Sequence, residues 1–121
     1  MNKLLAIASL GEAGTGAVLL AYPAIVAQLL FGAEVGGVGV IMSRTAGIAL
    51  LGLGVACWPG DSARQQLYGM LTYSTLVTLY LIVVGLGGTA GILLWPAAVF
   101  HAGLCALLVR ARSKTQKTPT V

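Results

Sequence analysis

Residues 67–109 read LYGMLTYSTLVTLYLIVVGLGGTAGILLWPAAVFHAGLCALLV, and this stretch decides the fold. It contains no Asp, Glu, Lys or Arg, and the turn signal Gly87-Gly88-Thr89 divides it into two apolar runs. One runs from about Leu67 to Leu86, the other from about Ala90 to Val109. Each approaches the ~20 residues that an α-helix, rising ~1.5 Å per residue, needs to cross the hydrocarbon of a bilayer. A connection this short places the two helices antiparallel.

Outward from this hairpin the pattern repeats. A run from about Val38 to Trp58 precedes it, bounded by Pro59-Gly-Asp-Ser-Ala-Arg64, where Asp61 or Ser62 is suited to cap the next helix. Before that, Gly32-Ala-Glu-Val-Gly-Gly37 separates a first apolar region that begins near Leu4. This region is too long for one span and carries Pro23. Proline lacks the backbone donor a helix interior needs, but suits a first helical turn. The reading is a span over about 4–22 and a short interfacial helix over 23–31, with a kinked, tilted span as the alternative. The N-terminus also imitates a secretory signal, Lys3 followed by an apolar run, but Glu12 interrupts it. The fold expected is therefore all-α: an integral membrane four-helix bundle over residues 1–110, with a basic, disordered tail over 111–121.

Composition agrees. Of the 121 residues, 58% are hydrophobic and 8% charged, against roughly 25% charged in soluble domains. The net charge of +4 is uneven. Lys3, Arg64, Arg110, Arg112, Lys114 and Lys117 all flank the same ends of the four spans, while the opposite loops hold only Glu34. Positive residues in short loops mark the cytoplasmic side, so both termini are expected there, in a bacterial inner membrane. Tyr22, Trp58 and Trp95 fall near the span ends, as interfacial aromatics do. The basic tail lacks the interleaved aromatics of a nucleic-acid site. Cys57 and Cys105 fall near the reducing side, which disfavours a disulfide.

Three ionisable residues fall inside spans: Glu12, Arg44 and His101. Such residues are costly in hydrocarbon and normally face the bundle interior. Counted from the outer ends of their spans, Glu12 lies ~15 Å deep, Arg44 ~9 Å and His101 ~16 Å, at ~1.5 Å per residue. Ala8, Ser9, Glu12, Thr15 and Gly16 share one face of the first span. Gly37, Val40, Arg44, Gly47, Leu51, Gly54 and Trp58 form a stripe on the second. Small residues allow close helix approach, so both stripes read as packing seams. Glu12 and Arg44 are expected to pair, with His101 at the level of Glu12 and hydrogen-bonded; the competing reading has Arg44 reaching the outer headgroups. The third span is rich in hydroxyls. Thr72, Tyr73, Thr75 and Tyr80 serve interhelical hydrogen bonds or line a cavity, and Tyr73 and Tyr80, seven apart, share a face.

No Ser/His/Asp set, paired carboxylates, Cys/His dyad or metal-ligand spacing is present. Gly36-Gly-Val-Gly39 lacks the Lys-Ser/Thr of a phosphate loop. No cofactor is expected.

The order Leu-Gly-Glu12, Tyr-Pro23, Leu-Leu-Phe-Gly32, Arg44-Thr-Ala-Gly47 and Ala-Cys-Trp-Pro59 resembles a group of small uncharacterised bacterial four-helix membrane proteins, and more distantly DoxX-like proteins. The resemblance spans residues 5–110 and implies a fold but no chemistry. The chain also looks superficially like small multidrug resistance exporters, which have four spans and one essential carboxylate in the first. Only Glu12 corresponds. Arg44 and the one-sided charge depart from that pattern.

Three functional expectations follow. The first is a non-enzymatic bundle, surrounded by membrane lipids, that packs as a homo-oligomer or as an accessory subunit of a larger membrane complex. The second is a small proton-coupled transporter using Glu12. The third is a membrane enzyme acting on a lipid or quinone.

Overall fold

A computed structural model describes residues 2–116. Of the expected tail, Lys117 and residues 118–121 lie outside the described residues. Five helices follow in order: α1 (Asn2–Ala21), α2 (Pro23–Phe31), α3 (Val38–Ala56), α4 (Ala63–Leu86) and α5 (Leu94–Gln116). Among them α1, α3, α4 and the Leu94–Lys114 part of α5 are long and apolar enough to cross a membrane.

The region around Pro23 resolves into two helices rather than one kinked span. Tyr22 leaves helical geometry (φ −132°, ψ 62°), and Pro23 starts α2 in the first-turn position that tolerates its missing N–H. α2 ends at Gly32, whose φ of +65° is a left-handed cap that glycine adopts without steric cost.

Three expected boundaries shift. α4 begins at Ala63, not near Leu67, so Arg64, Gln65 and Gln66 are helical. The polar run Arg64-Gln65-Gln66 ends the apolar stretch but not the helix. Ser62 stands at the N-cap, but its hydroxyl makes no capping bond; instead the Gly60 N–H donates to Gln66 Oε1 at 3.1 Å. α5 begins at Leu94, four residues later than the apolar run, and continues through 111–116, where a disordered tail was expected.

The delay in α5 has a structural cause. The N–H of Gly91 donates to the Leu30 carbonyl and that of Leu93 to the Leu29 carbonyl, both at 2.8 Å. The last carbonyls of α2 and the first amides near α5 are the groups that helices leave unpaired at their ends. Here they satisfy each other, and the last turn of α2 abuts the residues that lead into α5. The contact is close: a Cβ on Gly91 would overlap the Leu29 carbonyl.

Packing divides the long helices into two antiparallel hairpins, α1 with α3 and α4 with α5, with sparser contact between them. The α1–α3 seam is made of glycine. Cβ atoms added at Gly16, Gly47 or Gly54 would stand 2.6–2.7 Å from the facing helix backbone. Gly16 lies against Gly47 and Leu51, and Gly54 against Ser9 and Ala13.

α1 carries the link between hairpins. Leu5 and Ala8 pack with Cys57, Leu67, Met70, Leu104 and Leu108 in one apolar cluster. Leu81, Leu94 and Ala98 form a second, joined by Phe31. The first cluster gathers the start of α1, the end of α3, the start of α4 and the end of α5. Both described termini therefore lie at one end of the bundle, together with Lys3, Arg64, Arg110, Arg112 and Lys114. Trp58 lies at that end; Tyr22 and Trp95 lie at the other, which accords with aromatics at two interfaces. The Arg112 guanidinium sits over the Tyr68 ring, 5.2 Å from its centre.

Candidate functional site

Between the two apolar clusters the interior turns polar. Along α1, Ser9 and Glu12 follow Leu5 and Ala8. Along α4, Tyr73 and Ser74 lie between Met70 and Leu81. Along α5, His101 lies between Ala98 and Leu104. Ser9, Glu12 and Ser74 are buried, with Glu12 only 4% exposed.

The centre of this layer joins α1 to α5. His101 Nε2 lies 3.3 Å from Glu12 Oε1, both side chains largely buried. This is the distance of an ion pair, although Nε2 is not aligned as a regular hydrogen bond. The other ring nitrogen fixes the chemistry. Nδ1 lies 2.8 Å from the Ala97 carbonyl. A carbonyl only accepts, so Nδ1 carries a hydrogen. Nε2 is then protonated only in the imidazolium. Two lone pairs facing one another across 3.3 Å would repel, so the contact is favourable with one proton between the partners. That proton makes either an imidazolium–carboxylate pair or an imidazole–carboxylic acid pair.

The Tyr73 ring stands edge-on to His101, which brings α4 into the same site. The His101 ring is held edge-on by Phe100 and Tyr73, at ring-centre distances of 5.5 and 6.2 Å. Ser9 Oγ and Ser74 Oγ, both buried, have no hydrogen-bond partner.

Of the three ionisable residues singled out from the sequence, the structure brings Glu12 and His101 together and leaves Arg44 apart. Arg44 is exposed on α3 and has no ion-pair partner among the described residues. The expected Glu12–Arg44 pair fails on register, and Arg44 stands exposed where the seam residues Gly47 and Gly54 are buried. Arg44 does share the stripe with Gly47, Leu51 and Gly54. But the glycine contacts set Gly47 opposite Gly16 and Leu20, and Gly54 opposite Ser9 and Ala13. Glu12 thus faces the region of Leu51–Gly54, while Arg44 lies beyond Leu20. A separation of about eight residues is ~12 Å along the helix, beyond direct reach.

The hydroxyls of α4 also divide. Tyr73 is half-buried at the polar layer, but Tyr80 is 63% exposed. Seven residues keep them on one face and separate them by ~10 Å in depth. Five residues beyond Tyr80, α4 packs on α5 through Gly85 against Leu94 and Trp95. Thr72 is exposed. Thr75 donates to the Leu71 carbonyl at 2.8 Å and lies 3.5 Å from Cys105 Sγ; Thr78 donates to the Ser74 carbonyl. These bonds stay within their own helix, except for the Cys105 contact.

Ser9 and Ser74 were not singled out individually from sequence. Their signal was only a small polar residue one turn from, or next to, a residue that was. Both cysteines are free. Among the described residues no three His, Cys, Asp or Glu side chains converge where a metal would be held.

At the opposite end of the bundle from the basic residues, α2 and the following loop form a groove of about 410 Å³, lined by Ala24, Ile25, Gln28, Leu29, Glu34 and Val35. Glu34 is exposed there.

No protein-family model matches the chain, and neither the curated proteins nor the solved structures yield a match.

Proposed function

We propose that this is a non-enzymatic multi-pass protein of the bacterial inner membrane, with both termini cytoplasmic, that acts as a packing subunit: it assembles with further copies of itself or within a larger membrane complex. The observation that carries this reading is the asymmetry of α3. Among the long helices, α3 packs substantially against α1 alone. Its free surface presents Ile41, Met42, Ile48 and Val55 together with the exposed, unpaired Arg44. An arginine on the free face of a span is costly, about 2.5–3.5 kcal/mol at the centre of a helix on insertion scales. A neighbouring subunit that offers an acceptor removes that cost.

A second reading, a small proton-coupled transporter, draws support from Glu12. Its partner is a titratable imidazole rather than the permanent charge of Arg44, so the pair is chemically able to gain or lose a proton.

Purification of the tagged full chain from its native membrane in a mild detergent, with mass determination of the intact particle, tests the first reading. Further copies or a stable second membrane protein are expected, and a lone monomer would overturn it. Reconstituted vesicles that move protons when a substrate is added, and stop with Glu12→Gln, would establish the transporter instead.

A further inference from the structure

The unpaired arginine has a counterpart in the same molecule. Apart from the basic end, the chain carries few formal charges. From Ala13 to Ser43 the only one is Glu34, and from Leu67 to Val109 there is no Asp, Glu, Lys or Arg. The end of the bundle formed by the α1–α2 junction, the start of α3 and the α4–α5 turn therefore holds one carboxylate, Glu34, and one guanidinium, Arg44. Both are exposed and neither has an ion-pair partner among the described residues.

Arg44 lies six residues along α3 from Val38, or ~9 Å, and side chains on a helix lean toward its amino end. Its guanidinium is thus carried toward the level of the 32–37 loop, where Glu34 stands. The groove beside Glu34 suits an arginine: Ala24, Ile25, Leu29 and Val35 offer apolar walls for the methylene stem. Gln28 and Glu34 offer an amide oxygen and a carboxylate for the forked donors.

We propose that the occupant of this groove is a second copy of the chain, whose Arg44 pairs with Glu34 in a two-fold dimer. Resting on the assembly reading above, the proposal names the partner and the contact. A two-fold axis along the membrane normal keeps both copies in one orientation and preserves depth, so each dimer holds the contact twice: Arg44 of each copy with Glu34 of the other. Such a self-complementary arrangement is what a closed dimer requires. Glycine and alanine at exposed positions of α3, Ala46, Ala49 and Gly52, leave room for a helix to approach.

The test uses the full chain in lipid nanodiscs and in mild detergent. Arg44→Glu and Glu34→Arg should each weaken self-association about tenfold or more, because like charges then face each other. Combining both changes in one chain should restore it. In a Cys57→Ala, Cys105→Ala background, co-expressed Glu34→Cys and Arg44→Cys chains should form a mixed disulfide dimer more efficiently than either chain with itself. A purified chain that is monomeric in nanodiscs overturns the dimer. A dimer that persists unchanged through both charge reversals overturns the contact. If the pure chain is monomeric yet holds a different membrane protein when isolated from its native membrane, the proposal falls while the assembly reading stands.

Discussion

Glu12 poses the residue-scale question of what holds a carboxyl group in a largely apolar interior. The structure answers with His101, not Arg44, and the difference is measurable. Removing one member of a buried pair leaves the other uncompensated, at roughly 3–5 kcal/mol in soluble proteins. His101→Leu should therefore destabilise the bundle strongly. Glu12→Leu together with His101→Leu should cost less than the sum of the two singles, with a coupling on the order of 1–3 kcal/mol in detergent unfolding. The same cycle with Arg44→Met in place of the histidine change should be additive within about 0.5 kcal/mol, since Arg44 lies two turns away. Glu12→Gln distinguishes the two forms of the pair. A Gln amide can donate to a neutral Nε2 as a carboxylic acid does, but cannot balance an imidazolium. Little loss on Glu12→Gln means that the proton resides on the carboxyl; a loss as large as that of Glu12→Leu means that it resides on the ring. Nδ1 keeps its hydrogen bond to Ala97 in both cases, so ring orientation stays constant through the comparison.

Elements are joined in this protein by backbone contact more than by interlocking side chains. Gly16, Gly47 and Gly54 bring α1 and α3 so close that a methyl group at any of them meets the opposite helix. Gly11 lies on α1 with open space beside it. Gly47→Ala should lower stability by roughly 1–3 kcal/mol, the usual cost of forcing atoms into a filled seam. Gly11→Ala should be neutral or slightly stabilising, since alanine is favoured over glycine in a helix by about 1 kcal/mol. Thermal unfolding of the two variants in one detergent gives the comparison, and equal behaviour would refute the seam. The α2–α5 junction makes a similar demand of Gly91, where a side chain would displace the carbonyl that the junction uses.

For the molecule as a whole, orientation is the first property to establish. The contacts put Lys3, Arg64, Arg110, Arg112 and Lys114 at one end and Glu34 at the other. With positive charge favouring the cytoplasm, a membrane-impermeant thiol reagent applied outside intact cells should label Glu34→Cys and leave Ser113→Cys unlabelled until the cells are opened. Both changes belong in a background without Cys57 and Cys105. Equal labelling of the two from outside would overturn the orientation. The hairpins meet mainly through α1, so agents that weaken the polar layer should separate the pairs before they melt either one.

Much of this architecture was legible in the sequence because hydrocarbon is an undemanding solvent to recognise. A span needs about 20 apolar residues, so Val38–Ala56 and the core of α4 and α5 declare themselves. Proline and glycine likewise have fixed backbone limits, which is why Pro23 and Gly32 bound α2 where expected. The candidate site was half legible. An ionisable residue in a span normally points inward, and this singled out Glu12, Arg44 and His101; it failed for Arg44, which is exposed, and held for Glu12 and His101. Their pairing was not legible, since it depends on which residues of α1, α3 and α5 stand at one depth. That register is set by glycine contacts between helices, and a slip of one or two turns leaves every face unchanged while exchanging every partner. For the same reason Arg44 shares a stripe with the seam yet lies past the point where Glu12 could meet it. Sequence alone determined which runs are long and apolar enough to span, where the chain turns and which side chains are costly to bury. Only the tertiary structure decided which of them met, because lateral contact depends on the relative height of helices that hydropathy treats as independent.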